Sequence, residues 1–205
     1  YTNNDRTDVG TQEVTATITG SNFTTLVLTA DLTVTPATVT GITFDDESFV
    51  YDGTAKSLAI GGTLPTGTSV TYTNNDRTDV GTQEVTATIT GSNFTTLVLT
   101  ADLTVTPATV TGITFDDESF VFDGTVHSLA IGGTLPTGTS VTYTNNDRTD
   151  VGTQEVTATI TGSNFTTLVL TADLTVTPAT VTGITFDDES FVFDGTVHSL
   201  AIGGT

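Results

Sequence analysis

"GTQEVTATITGSNFTTLVLTADLTVT", residues 81–106, contains two alternating runs around one polar break. In the first run Val85, Ala87 and Ile89 share one parity; in the second Leu97, Leu99, Ala101, Leu103 and Val105 do. Successive side chains of a strand point to opposite faces, so each run gathers its apolar residues on one side and its threonines mostly on the other. "TGSNF", from Thr90, is a turn cluster between them. The stretch predicts two long, half-buried strands joined by a short connection.

Outward from this pair the pattern continues in shorter form. Val70 with Tyr72, Leu58 with Ile60, and Phe49 with Tyr51 repeat the alternation. "FDDES" at Phe44, "YDGT" at Tyr51, "GGTLPTGT" from Gly61 and "TNNDRTDVGT" from Thr73 punctuate it. No segment carries apolar residues at helical spacing over the length a helix needs. About seven short strands are expected, which points to an all-β, immunoglobulin-like two-sheet sandwich. A β-grasp arrangement is the alternative, weakened by the missing helix.

Tyr1, Tyr72 and Tyr143 open identical text, so the chain repeats every 71 residues. It divides into residues 1–36 (the C-terminal part of a repeat), 37–107 and 108–178 (full repeats), and 179–205 (the N-terminal part of a repeat). Such periodicity predicts a tandem array of small β-domains. The junction "TVTPATVTG" has no Gly/Ser spacer, and proline holds itself and its predecessor extended, so the joints should be stiff. A 71-residue core is small, and contacts between neighbours should matter to its stability. The two partial repeats lack only "LPTGTSVT" between them. They are expected either to be cut from a longer array or to complete each other between neighbouring chains.

Twenty-four acidic residues face four Lys/Arg, a net charge of −20. Nucleic acid and anionic membranes both demand clustered cations, so neither is an expected partner. No apolar run approaches the roughly 18 residues that span a bilayer. The absence of Cys removes disulfides and thiolate chemistry.

Several places have residues that could carry chemistry. The two full repeats differ only at Tyr51/Phe122, Ala55/Val126 and Lys56/His127. Lys cannot replace imidazole as a neutral-pH base or metal ligand, so these changes read as drift at a tolerant surface and rim. Asp45, Asp46 and Glu47, with Asp52 after them, form an acidic turn in each copy. Hard cations take oxygen ligands, so calcium is the one ion it could hold; the D-x-D-x-D-G ladder is absent, and a solvated turn with no cofactor is the reading. Asn74, Asn75, Asp76 and Asp79 surround Arg77; a sugar-binding loop is conceivable, but such residues also build turns, with Arg77 clamping neighbouring acids. "NFT" at Asn22, Asn93 and Asn164 matches a glycosylation acceptor. "LPTGT" at Leu64 departs from the sortase pattern L-P-x-T-G at its fourth position. An isopeptide crosslink would need a Lys in every unit, and 108–178 has none. No catalytic, cofactor-binding or metal residue is assigned, and no enzyme is expected.

The order "FVYDGTAKSLA…GGTLPTGTSVTYTNN…DVGTQEVTATITGSNF…LTADLTVTPA" resembles the MBG/YDG-type tandem repeats of bacterial surface proteins. The "YDG" triplet, the "VG…V" segment and the closing "TVTPA" carry the likeness, and Phe122 and Phe193 depart from its usual Tyr. The resemblance implies large adhesins, secreted or attached to the cell wall, in which such repeats form stalks. The expected role is a structural spacer that projects a distal binding domain, in adhesion or biofilm. Its expected partners are neighbouring repeats, including head-to-tail self-association, and host or matrix glycans reached through that distal domain. The second reading is a multivalent glycan- or mucin-binding module, whose avidity would come from repetition.

Overall fold

The computed structural model describes residues 1–204, and within them every regular element is a strand. The chain forms two compact units: Tyr1–Ala108 with Ser163–Thr166, and Thr109–Gly162 with Thr167–Thr205.

In the first unit β1 (Gly10–Gly20) and β2 (Phe23–Val34) form an antiparallel hairpin. A four-stranded sheet follows, built from β3 (Glu47–Val50), β4 (Ser69–Thr73), β5 (Gly81–Thr90) and β6 (Leu97–Thr106), in the order β3-β6-β5-β4. β5 and β6 are the two long strands read from the sequence, paired antiparallel with Val85 opposite Ala101 and Ile89 opposite Leu97. β3 lies parallel to β6, Glu47 opposite Leu103.

The alternation works as period two dictates. Val85, Ala87, Ile89 and Leu103 are wholly buried. On the opposite face Thr82 and Thr104 bond to each other across the strands at 2.9 Å, a pairing that suits β-branched residues on a solvated face. Over the buried face lies the chain before and after β3. Leu58 packs with Val85, Ala101 and Leu103, and Phe44, Phe49 and Tyr72 close the cluster. This second layer is tied by bridges at Thr43–Gly61 and Lys56–Arg77 rather than by long ladders.

Leu58–Ile60, whose alternation predicts a strand, joins no ladder, and its backbone pairs with side chains. The Leu58 N–H donates to Asn75 Oδ1 at 2.7 Å, and Asn75 Nδ2 donates back to the Leu58 carbonyl at 2.8 Å. The Ile60 N–H donates to the Tyr72 hydroxyl at 3.1 Å. A buried backbone needs partners of some kind, and here an amide and a phenol supply them.

The second unit repeats the plan. β7 (Glu118–Val121), β8 (Ser140–Thr144), β9 (Gly152–Gly162) and β10 (Phe165–Thr177) form a sheet in the order β7-β10-β9-β8, the first two residues of β10 belonging to the first unit. Leu129, Val156, Ala172 and Leu174 make its core, with Phe115, Phe120 and Tyr143. Two short strands, β11 (Ile184–Thr185) and β12 (Gly203–Gly204), pair near the C-terminus.

Candidate functional site at the repeat junction

The divergent position packs more closely than a tolerant surface would. Lys56 and His127 expose only 19% and 13% of their side chains. Lys56 Nζ stands 5.9 Å from the centroid of the Phe49 ring, and the His127 ring stacks on Phe120 at 4.4 Å and 14°. Each also reaches back four residues to an aspartate, Lys56 to Asp52 and His127 to Asp123. Lys and His therefore do one job: an apolar flank covers an aromatic ring while a nitrogen meets a carboxylate. Drift here is confined to residues that keep both contacts.

The "DGT" turn is built by its aspartate. Asp52 Oδ1 accepts from the Thr54 N–H at 2.9 Å and from the Thr54 hydroxyl at 2.6 Å. The Lys56 bond, then those from Thr54, hold the Asp52 carboxyl far below the usual range. In Asp123 the shift is also downward, led by the Thr125 hydroxyl.

Asp52 is thus turned toward its own turn, away from the other acids. Asp46 accepts from the Asp102 N–H at 2.7 Å, tying the acidic turn to β6. Among the described residues no three acids or histidines converge as a metal ion requires.

In "TNNDRTDVG" the expectation that Arg77 clamps acids is corrected. Its Nη2 donates to the Val80 carbonyl at 2.9 Å and its Nη1 to Gln83 at 3.2 Å, while Gln83 Nε2 donates to the carbonyls of Asn74 and Asp76. The guanidinium is a plug that closes the loop on β5. A Cβ on Gly81, at φ +136°, would lie 2.1 Å from Arg77 Nη2, which explains the glycine. Asn74 adopts φ 58°, a left-handed conformation that short polar side chains tolerate. Gln83 sits inside a strand, where nothing in the local pattern marked its role.

The remaining members of the loop meet the sequon turn of the next repeat, all within the first unit. The Val9 N–H donates to Asn93 Oδ1 at 2.9 Å, and Asn93 Nδ2 donates to Asp8 Oδ1 at 2.9 Å. One period on, the Val80 N–H donates to Asn164 Oδ1 at 2.9 Å and Asn164 Nδ2 to Asp79 Oδ1 at 2.8 Å. The same turn grips the chain emerging from the proline. The Ala37 N–H donates to the Asn93 carbonyl and the Thr95 N–H to the Ala37 carbonyl, each at 2.9 Å, with the equivalent bonds at Ala108. At the second copy Tyr51 also meets Phe165 edge to face at 5.5 Å. One asparagine per repeat therefore fastens two segments of the preceding chain.

A family model described as the MBG domain matches residues 40–109 and 111–180, more than half of the chain, in two tandem copies. The chain belongs to the MBG domain family. Its repeats are tandem MBG domains with an all-β fold. Similar solved structures include a 3Ig fragment of titin, with 9% identity and a TM-score of 0.31, covering 67% of this chain and 65% of the fragment. A fragment of sidekick-1 immunoglobulin domains has 14% identity and a TM-score of 0.26, covering 83% of this chain and 58% of that one. A fragment of human mucin-like protocadherin has 14% identity and a TM-score of 0.24, covering 67% of this chain and 98% of that one. The MBG chain thus spans under two thirds of the titin and sidekick-1 fragments. No curated protein matches the sequence.

Proposed function

We propose that these MBG repeats are the spacer of a large bacterial surface adhesin or surface fibre, non-catalytic and extracellular, attached to the cell and holding a distal binding domain away from it. The observation that carries the reading is the junction. The same asparagine amide bridges the same loop in both copies, at 2.8–2.9 Å, with no flexible linker between repeats. Within the first unit, side-chain and backbone bonds pin the loop of one repeat to the turn of the next, and such pinning suits a spacer better than a tethered binding module. The placement of Phe44, Phe49 and Tyr72 against the core weighs in the same direction, since a glycan platform would need such rings exposed.

The test is end-to-end distance against repeat number, by small-angle scattering or paired spin labels. A spacer lengthens in proportion to the number of repeats. Growth as the square root of repeat number, or glycan binding that strengthens with each repeat added, would overturn the reading.

A further inference from the structure

The first stretch of a full repeat is fastened to its last strand at two places. At one, the Ala37 N–H donates to the Asn93 carbonyl and the Thr95 N–H to the Ala37 carbonyl, each at 2.9 Å, with Ala37 parallel to Phe94. At the other, β3 runs parallel to the close of β6, Glu47 opposite Leu103 and Val50 opposite Thr106. Two more bonds frame that ladder. The Asp102 N–H donates to Asp46 Oδ1 at 2.7 Å, and the Tyr51 N–H to the Thr106 carbonyl at 2.9 Å. The Thr106 hydroxyl adds a bond to the Phe49 carbonyl at 3.1 Å. The second full repeat has the same parallel ladder, Glu118–Val121 on Leu174–Thr177.

Direction decides what such a pairing can resist. A repeat inside an array is pulled from the residue before Ala37 and from the residue after Thr106. In β3 the tension arrives at Glu47; in β6 it leaves at Thr106. The strands are parallel, so these two pulled ends lie at opposite ends of the ladder. The ladder is loaded in shear, and its bonds share the force and give way together. With the pulled ends side by side, the same bonds would open one at a time, each a weak restraint alone. Ala37 adds a shorter path. Its bonds hand tension to Asn93 and Thr95, and from Thr95 the covalent chain continues through β6 to Pro107. Leu58 and Val85 of the core lie outside that line.

We propose that the full repeat is a tension clamp, formed by the Ala37 bonds and the parallel β3–β6 ladder. It resists pulling along the array and yields to pulling across it. The inference holds for a repeat pulled at both ends whatever the array projects, so it stands apart from the spacer reading.

The test is force spectroscopy on the intact chain, whose lack of Cys allows handles at chosen pairs of introduced thiols. Thr35→Cys with Pro107→Cys pulls along the ladder, while Val50→Cys with Pro107→Cys pulls its adjoining ends apart. All three positions are exposed, and circular dichroism should show both variants folded. At equal loading rate the first pair should rupture at about twofold higher force or more, because forced opening follows the unfolding barrier along the pulled direction. Ala37→Pro removes the donor to Asn93 at a position outside the core. It should lower the rupture force of the first pair and leave the second unchanged. Equal forces in the two directions overturn the proposal. So does an Ala37→Pro chain that holds the first pair as firmly as its parent.

Discussion

Asn164 and Gly81 separate two kinds of single-residue constraint. Asn164→Ala removes both bonds of a junction but no core contact, so exchange of the Val80 amide should quicken while core amides keep their protection. Equal loosening of core and junction would show that the asparagine serves the fold itself. Gly81→Ala meets the Arg77 guanidinium and an unfavourable φ together. It should cost at least about 1–3 kcal/mol from the backbone strain alone; adding Arg77→Ala should relieve the clash and leave the strain. Chemical denaturation of the single and double variants checks this. Asp52 makes a pH prediction. Its folded pKa lies below the ordinary 3.8, so the carboxylate favours the folded state above that value. The contribution disappears as pH falls toward the lowered folded pKa. Asp52→Asn should therefore flatten the acid limb of the denaturation midpoint below pH 3.8 and change its slope little near neutrality.

At the level of elements, β5 and β6 were legible because alternation over ten residues fixes both the strand and its buried face. Leu58–Ile60 reads equally extended, yet its partners, Asn75 and Tyr72, lie 12 to 17 residues away and are side chains. No local pattern distinguishes a backbone partner from such a substitute. The junction was half legible. Proline and the absent spacer announced a close connection, but the asparagine that bonds to the preceding loop was visible only as a glycosylation acceptor. The packing of Lys56 was hidden for a related reason: the ring it covers lies seven residues back, in β3, while Lys56 itself belongs to no strand. Asn75→Ala strands two backbone groups of Leu58, part-buried at the core edge, and should cost about 1–3 kcal/mol. Lys56→His, which the second repeat already contains, should cost far less. Denaturant midpoints of the two variants compare them directly.

For the molecule as a whole, two cores of the same composition and near-identical text imply two nearly equal stabilities. Thermal unfolding should show closely spaced transitions for residues 37–107 and 108–178. Widely separated ones would mean that the Lys56/His127 exchange matters more than its contacts suggest. A net charge of −20 also works against compaction. Salt shortens the Debye length from about 30 Å at 0.01 M to about 8 Å at 0.15 M, so added salt should raise the unfolding temperature. A chain indifferent to salt would place its carboxylates too far apart for repulsion to count.

The sequon turn has a practical corollary for how the protein is produced. A eukaryotic host that recognises "NFT" would attach an oligosaccharide to the very nitrogen that Asn164 directs at Asp79, 2.8 Å away. That atom would keep one hydrogen and gain a bulky substituent where a carboxylate now sits. Material secreted from yeast or insect cells and material made in bacteria, identical in translated sequence, would then differ in mechanical compliance.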